Sequence, residues 1–444
     1  MNKTKDLKNL LKFLFGTIFG VCFVLVPFNF NGTVDTVLFY YIKLFVKTYS
    51  YILTPIVVLL TIASACLSLL NLINDKTFFA TNPLMKKLFV TSPFYVVNRF
   101  IGAIFAVMIY TQKGPSFIIS PDTGGAMLGL ATQLSILVPC MLLFQTFILE
   151  YGAMEFIGEF IGKIMRPLFN VSEICATSII SAWVGPGNAA IMGTKELFEQ
   201  GYFTAREAAS IATQFATGSI GWVVVVSSVL GVMDYFPSII LGLLLISIIV
   251  AAICVRIPPV SKYSETYVDG SREFKHKVDR EGNIFNRALN NAKSRASLVS
   301  WRNFSAKIDN MTFYIFWLTP IIICWGSLAL ILALYTPVLA WISLPIEFIL
   351  KLFGVAEAKV AASAIMSGLA DNYLPVVIAS GIESTITRII VSMMSIISIV
   401  YLSETATLLT STKIVPKFGD VILVFLLRTF IALPFVIIFA KFIV

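Results

Sequence analysis

Long apolar stretches separated by short polar loops follow one another along most of the chain, and two of these stretches break in the middle. The first break is Trp183–Asn188, and the second is Leu369–Tyr373. Each break separates two apolar runs of about 12 residues, roughly half of the ~20 residues that a helix needs to cross a bilayer. Each broken segment therefore either crosses the membrane once with an irregular centre or turns back as a re-entrant helical hairpin.

The unbroken apolar stretches predict about nine full membrane spans. Their ranges are 10–29, 50–73, 94–112, 126–150, 205–232, 236–257, 310–336, 383–410 and 419–443. If the broken segments 172–200 and 357–381 are hairpins and the N-terminus is cytoplasmic, most Lys and Arg residues fall on the cytoplasmic side, as the positive-inside tendency requires. A single crossing by 172–200 would instead place the basic loop that follows Arg256 outside. The sequence therefore predicts an all-α polytopic protein of the cytoplasmic membrane with two re-entrant hairpins.

Both halves of the chain follow the same order of elements, and a shift of 184 residues places Asn188 on Asn372. In each half, three polar residues at four-residue spacing line one face of an amphipathic helix that precedes the hairpin. They are Glu155, Glu159 and Lys163, and Ser343, Glu347 and Lys351. Because each half has an odd number of crossings, the pattern predicts inverted repeats, which are common in secondary transporters. The alternative is a coincidental similarity between hydrophobic helices.

This pattern predicts four consecutive segments. They are N-terminal transmembrane helices (1–125), a first repeat with hairpin 172–200 (126–257), a polar cytoplasmic linker (258–308) and a second repeat with hairpin 357–381 (309–444). The linker has few large apolar runs, so we expect it to be partly disordered or to form a helix near 284–297.

Composition supports the membrane class, because the chain is 58% hydrophobic and 13% charged with a mean hydropathy of +0.89. The net charge of +9 is explained by basic cytoplasmic loops rather than by nucleic-acid binding. A single histidine and cysteines without a CxxC pair argue against a metal site and against disulfides. No Walker A, GxSxG or HExxH pattern occurs, so we expect neither an enzyme nor a cofactor beyond a coupling ion.

The hairpin tips are the first candidate site, because backbone that lacks a helical partner is tolerated in a bilayer only when it is buried in protein or lines a wet cavity. Gly185 and Gly187 allow the turn, and Pro186 ends the first half-helix. Asn188 and Asn372 offer donor and acceptor atoms that suit a sugar hydroxyl, an amide or a base edge. The alternative role, which is compatible with the first, is that these Asn residues only cap the second half-helices.

The tip carbonyls near Val184 and Leu369 are candidates for binding a cation. The spans that follow the hairpins also contain polar residues. Gln214, Thr217 and Ser219 interrupt the first of these spans, and Ser403 lies in the second. Small-residue helix packing is the alternative explanation for the first group.

Two carboxylates and two arginines also fall within apolar segments. Asp371 at the second tip and Glu404 in the span after it are candidate coupling-ion residues, because an intramembrane carboxylate is costly and usually functional. Arg99 is expected to snorkel from the start of its span. Arg428 lies in mid-span, and it either pairs with a carboxylate structurally or anchors a substrate.

Three motifs suggest a family. They are Gly114-Pro115 followed by Ser120–Gly125, then Met154–Gly158 leading to Arg166–Phe169, and Gly201–Thr204 with Arg206–Thr213. These stretches resemble the YjiH-like family of membrane proteins, which have a nucleoside-recognition (Gate) domain. The order of elements is similar to that of concentrative nucleoside transporters, in which two hairpins and two unwound helices surround the substrate. This chain departs from those transporters at the Gly185–Asn188 tip, which has no carboxylate. From the residues alone, Ser120–Gly125 is predicted to be an outer turn with a helix cap.

The leading interpretation is a secondary active transporter of a small polar organic solute, driven by H⁺ or Na⁺. The family resemblance implies a nucleoside. The alternatives are an amino-acid or small-peptide transporter and a non-transporting Gate-domain protein that acts in membrane assembly. An intramembrane enzyme finds no nucleophile–base pair in the sequence. We expect the lipid bilayer and the solute as partners, no nucleic acid, and association into a homo-oligomer as an open alternative.

Overall fold

The computed structural model describes residues 3–30, 33–73, 82–185, 187–216, 220–273, 283–402, 405–412 and 414–444. Over these residues the protein is mostly helical, with a two-stranded sheet formed by β1 (Pro27–Phe30) and β2 (Thr33–Thr36).

The helices of the first half are α1 (Lys3–Val24), α2 (Val37–Ile73), α3 (Pro83–Phe89), α4 (Pro93–Thr111), α5 (Ser116–Ile119), α6 (Ala126–Leu149), α7 (Ala153–Phe169), α8 (Cys175–Val184), α9 (Gly187–Glu199), α10 (Ala205–Gln214), α11 (Ile220–Val229) and α12 (Phe236–Cys254). A π-helical turn (Pro121–Gly125) joins α5 to α6, and Ser120 Oγ accepts from the Asp122 N–H in it, as the predicted turn and cap require.

The helices of the second half are α13 (Ile284–Leu298), α14 (Trp301–Ser305), α15 (Ile308–Phe313), α16 (Thr319–Tyr335), α17 (Val338–Leu352), α18 (Ala358–Ser367), α19 (Leu374–Ala379), α20 (Thr385–Ile397), α21 (Thr405–Ser411) and α22 (Phe418–Ile443). A π-helical segment (Tyr314–Leu318) joins α15 to α16.

Seven helical segments of the described residues are long and apolar enough to cross a membrane, which confirms a multi-pass helical membrane protein. They are Asp6–Val24, Val37–Ile73, Pro93–Thr111, Ser116–Leu149, Met233–Cys254, Met311–Leu328 and Phe418–Ile443. Two of the predicted full spans, in which the sequence already places polar interruptions, are each divided into two helices. The range 205–232 contains the separate helices α10 and α11, and the range 383–410 contains α20 and α21.

Both predicted hairpin segments consist of two short helices that pack against each other. These pairs are α8 with α9 and α18 with α19. The same order then recurs in both halves: an amphipathic helix, a hairpin, an interrupted helix and a long helix. The opposite orientation of the two halves stays a prediction.

The chain divides into two compact units, each built from separate stretches. The hairpin unit comprises Met1–Val34, Gln145–Val299 and Ser343–Val444, and the companion unit comprises Asp35–Phe144 and Ser300–Ile342. The four consecutive segments predicted above stay a prediction, since these units are defined by compactness and not by sequence repeats.

In the companion unit, α2, α4 and α16 pack together, and a buried arginine holds neighbouring segments in place. A Cβ on Gly102 of α4 would lie 2.1 Å from the Pro320 carbonyl oxygen, so only glycine allows this close approach. Arg99 is 0% exposed and donates to the Leu88 carbonyl at 2.8 Å, and its guanidinium lies 5.6 Å from the centre of the Trp317 ring. The prediction that Arg99 snorkels to the membrane surface was therefore wrong.

In the hairpin unit, the predicted linker helix is present as α13, which packs against α1 and α7. A stripe of alanines, Ala288, Ala292 and Ala296, is fully buried in this contact. Charged residues flank the stripe: Arg287 pairs with Glu159 at 3.4 Å, and Lys293 pairs with Asp6 at 2.9 Å. The linker lacks large apolar runs, but small side chains are enough to dock its helix closely.

Gly152, the residue just before α7, allows the close approach of α13. Its φ is +101°, and a Cβ there would lie 2.4 Å from the Ala292 carbonyl oxygen. We expect Gly152→Ala to destabilise the protein by more than the ~1–2 kcal/mol of a left-handed L-residue, because the backbone of α13 must also move. Thermal unfolding in detergent measures this effect.

Gly270→Ala is the matched control. Gly270 has a φ of +78°, but nothing lies within 4 Å of its Cβ position. This variant should lose only the stability that a left-handed backbone conformation costs an alanine. Equal losses of stability in the two variants would contradict a tight contact between α7 and α13.

Candidate functional site

The first hairpin tip is fixed from a neighbouring helix. α8 ends at Val184, and the Gly185 N–H still donates to the Ser181 carbonyl at 2.8 Å. Gln145 of α6 donates from Nε2 to the Val184 carbonyl and is 1% exposed. The carbonyl predicted to be available for a cation therefore already accepts one hydrogen bond. Gln145 was not predicted from the sequence, although an amide in the middle of an apolar span is a signal of this kind of role.

The second tip is fixed by the segment that interrupts the following helix. The Leu402 N–H donates to the Leu369 carbonyl at 2.8 Å, so this predicted cation ligand also has a hydrogen bond. Asp371 Oδ1 accepts from the Tyr373 N–H at 2.8 Å, which fixes the turn just before α19. The Asn372 side chain makes no cap there. No side-chain cap forms at the start of α19, so the capping role considered for Asn372 was wrong.

The interruption between α20 and α21 contains strained backbone. Ile399 has a φ of +58°, a left-handed conformation that costs a β-branched residue about 1–3 kcal/mol. Thr405 Oγ1 accepts from the Tyr401 N–H at 2.8 Å and donates to the Tyr401 carbonyl at 3.0 Å, so the first residue of α21 holds this loop. Strain of this kind is concentrated at functional and switching segments.

Arg428 of α22 joins the two interruptions. It is 0% exposed, and its Nε donates to the carbonyl of Ile397, the last residue of α20, at 2.9 Å. Its Nη1 donates to the carbonyl and to the Oε1 of Gln214, the last residue of α10, at 3.3 and 2.5 Å. One guanidinium therefore caps the negative C-terminal ends of both interrupted helices. No carboxylate of the described residues lies within ion-pair distance of Arg428, so the predicted structural carboxylate partner is not among them.

Aromatic rings surround these interruptions. Phe215, which follows Gln214, packs edge-on against Phe169 at 4.8 Å and against Trp183 of the first tip at 6.1 Å. Tyr373 of the second tip lies 5.4 Å from Trp222 of α11. The Tyr373 hydroxyl is buried and finds no hydrogen-bond partner among the described residues.

A carboxylate also ties the base of each hairpin to the start of the interrupted helix. Glu207 forms a capping box with Thr204 and accepts from the Ser172 N–H at 2.7 Å, just before α8. In the second half, Glu357 precedes α18 and accepts from the N–H groups of Glu383 and Ser384 at 3.1 and 3.0 Å. Neither contact was predicted, although the Thr204–Glu207 spacing is the sequence pattern of a capping box.

The structure thus brings together only some of the predicted site residues. Gly185 and Gly187 lie at the first tip, and Gln214 is fully buried against Arg428 with its Nε2 donating to Thr213 Oγ1 at 3.0 Å. Asp371 and Asn372 lie half-buried at the second tip. The predictions for Pro186, Thr217, Ser219, Ser403 and Glu404, and for the side chain of Asn188, concern positions outside the described residues.

The fold and this geometry define a multi-pass helical membrane protein with two helical hairpins beside two interrupted helices. An uncharacterized protein of Alkalihalophilus pseudofirmus is 34% identical over 454 residues, which span 99% of this chain and 96% of that protein. The chain belongs to the same family as that protein. No family model matches the chain, and the resemblance to the YjiH-like family stays a prediction.

Solved structures of CNTnw, a concentrative nucleoside transporter, show a weak overall similarity. An outward-facing state has a TM-score of 0.41 at 16% identity and covers 91% of this chain and 99% of that one. An inward-facing, substrate-bound state has a TM-score of 0.40 at 13% identity and covers 90% and 98%. At these scores, the likeness defines neither the fold nor the solute of this chain.

The hydrogen bond between Gln145 and the Val184 carbonyl at the first tip can be tested by substitution. Gln145→Leu removes the donor to the Val184 carbonyl and leaves a buried acceptor unsatisfied, so we expect a loss of about 1–3 kcal/mol in stability. Gln133→Leu, at a half-buried position of the same helix, should change stability by less than about 0.5 kcal/mol. Thermal unfolding of both variants measures the difference, and equal effects would show that the Gln145 contact does not stabilise the tip.

Proposed function

We propose that this protein is a secondary active transporter of a small polar organic solute in the cytoplasmic membrane, driven by H⁺ or Na⁺. The observation that carries the proposal is the contact of Arg428 with the last carbonyls of both interrupted helices, in the unit that contains both hairpins. Non-helical backbone in the apolar interior is tolerated only where it is buried in protein or lines a cavity. Discontinuous helices of this kind form the substrate and ion sites of many secondary transporters.

The strained loop after α20 supports the same proposal. Alternating access needs segments that can change conformation at low cost, and strained backbone with few regular hydrogen bonds meets this need. Aromatic side chains at the tips and interruptions, Trp183, Phe215, Trp222 and Tyr373, provide large faces against which an organic solute can pack.

We assign the solute to the tips and interruptions. In this proposal, Gly185, Gly187, Asn188 and Asn372 contact it at the tips, with Pro186 shaping the first turn. Gln214, Thr217, Ser219 and Ser403 line the interruptions. Asp371 and Glu404 are the coupling-ion residues. We expect no enzymatic activity.

The competing function is a non-transporting membrane assembly protein. Purified protein in proteoliposomes separates the two, with uptake of labelled nucleosides, amino acids and dipeptides measured under imposed H⁺ and Na⁺ gradients. We expect one of these classes to accumulate under one gradient. Accumulation of none of them would reject transport of these solutes and favour the assembly role.

Coupling is tested at Glu404. If the coupling ion is a proton, Glu404→Gln mimics the protonated carboxyl and should abolish gradient-driven accumulation while solute exchange continues. If the ion is sodium, the variant should lose sodium-dependent binding instead. Glu383→Gln is the control, because its side chain is exposed. Normal accumulation by Glu404→Gln under both gradients would remove Glu404 from the coupling site.

The tip residues allow a further separation of binding from stability. Because no side chain caps α19, Asn372→Ala should leave stability within about 0.5 kcal/mol of the original protein yet weaken solute binding. Asp371→Ala should cost about 1 kcal/mol through the lost hydrogen bond from the Tyr373 N–H. Melting temperature and solute affinity are measured on the same preparations. An unchanged affinity in Asn372→Ala would exclude this residue from the site.

A further inference from the structure

We propose that the transported solute carries a carboxylate group and that this carboxylate binds the Nη2 group of Arg428. The inference rests on the proposed transport function and names the chemical class of the solute. It favours an amino acid, peptide or other organic acid over a neutral nucleoside.

The hydrogen bonds of Arg428 leave one edge of the guanidinium unused. Nε and Nη1 donate to three acceptors on Ile397 and Gln214, and all of these acceptors are neutral. Nη2 is buried and has no hydrogen-bond partner among the described residues. The two N–H bonds of Nη2 are therefore available to an oxygen atom supplied from outside the described residues.

No charge of the described residues compensates that of Arg428 either. A guanidinium stays protonated in proteins, and a charge buried in a membrane protein normally pairs with another charge or marks a functional site. No carboxylate of the described residues is in ion-pair distance, and the carbonyls that Arg428 contacts carry only partial charges. An anionic solute would supply the missing charge as well as the missing acceptor.

Arg99, the other fully buried arginine of the described residues, lacks a partner at Nε and not at a terminal nitrogen. Both of its terminal nitrogens donate hydrogen bonds, Nη1 to Ser68 Oγ at 2.5 Å and Nη2 to Leu88 at 2.8 Å, and its guanidinium lies over the Trp317 ring. Arg428 has no such ring among the described residues. The two arginines are equally buried, but Arg99 leaves only the single N–H of Nε without a partner, whereas Arg428 leaves the two N–H bonds of a terminal nitrogen.

The second tip lies against the same helix. The Phe425 ring, one turn before Arg428 on α22, lies 3.9 Å from the Cβ position of Gly368, just beyond α18. The tip residue Tyr373 has a buried hydroxyl that also lacks a partner among the described residues. Among the described residues, two buried donors therefore lack partners: Nη2 of Arg428 on α22 and the hydroxyl of Tyr373 at the tip that packs against α22. A carboxylate is an acceptor-only group with several lone pairs, so it matches such donors.

A carboxylate fits the charge better than a phosphate. Arg428 provides one positive charge, which one carboxylate neutralises. A phosphomonoester carries about −1.5 to −2 charges at neutral pH and would remain uncompensated beside a single guanidinium. We therefore assign the site to a carboxylate.

The test compares carboxylates with their amides. The probes are alanine and alaninamide, glycylalanine and glycylalaninamide, N-acetylalanine and N-acetylalaninamide, and the neutral nucleosides uridine and adenosine. Concentration-dependent thermal stabilisation of the purified full-length protein reports binding, since a ligand of the folded state raises its stability. We expect at least one carboxylate to bind at least about tenfold more tightly than its amide, since loss of one charge-assisted hydrogen bond has an effect of this size.

Substitutions of Arg428 and Arg99 test which arginine produces the preference for a carboxylate over its amide. Arg428→Gln should abolish the preference for carboxylate over amide, and Arg428→Lys should retain part of it because the charge remains. Arg99→Gln, which removes an equally buried arginine, should leave the preference unchanged. If Arg428→Gln does not fold, the original protein and Arg428→Lys still decide the result.

The outcomes distinguish the two proposals. Binding of nucleosides without binding of any carboxylate would overturn the inference and leave the transport function standing, and so would equal binding of each carboxylate and its amide. An unchanged preference in Arg428→Gln would overturn the role of Arg428. Binding of a carboxylate without its accumulation in proteoliposomes under either gradient would support the carboxylate site and reject the transport function.

Discussion

Arg428 satisfies two interrupted helices at once, and the geometry around both hairpins depends on it. A helix that ends inside an apolar protein leaves its last carbonyls without partners, and water is not available there to replace them. One side chain with several donors resolves this at Ile397 and Gln214 together. The positions of both interruptions are therefore set by α22, a helix that belongs to neither of them.

The remaining ends of the hairpins are held by contacts that match in function but not in position. Glu207 lies at the start of an interrupted helix and reaches back to the hairpin, whereas Glu357 lies before its hairpin and reaches forward to the interrupted helix. At the tips, a side chain of Gln145 serves one carbonyl and a main-chain N–H of Leu402 serves the other. Each half thus meets the same physical requirement with its own residues, and sequence identity between the halves is consequently low.

The arrangement of charges favours a solute with a carboxylate, whereas the family resemblance implies a neutral nucleoside. The first tip has no carboxylate in Gly185–Asn188, and the buried groups that lack partners near the second tip are donors. Among the described residues no carboxylate pairs with Arg428, so a neutral nucleoside would add no countercharge there, whereas a carboxylate would neutralise the guanidinium. The strained conformation of Ile399 lies directly beside this group, where a local rearrangement can open or close access to it.

The sequence by itself determined the membrane class, the two hairpins and the linker helix α13, because hydrophobic length, Gly and Pro at the breaks, and local periodicity are properties of neighbouring residues. The sequence places polar interruptions in the spans 205–232 and 383–410, but only the tertiary structure showed that the helices end there, at Gln214 and Ile397, since a few polar residues hardly change the mean hydropathy of a long segment. The tertiary structure also decided that Asp371 and not Asn372 accepts from the Tyr373 N–H, because both side chains offer the same acceptor and only the backbone selects between them. The partners of Arg428 lie 31 and 214 residues away in the sequence, a separation that no local pattern can bridge.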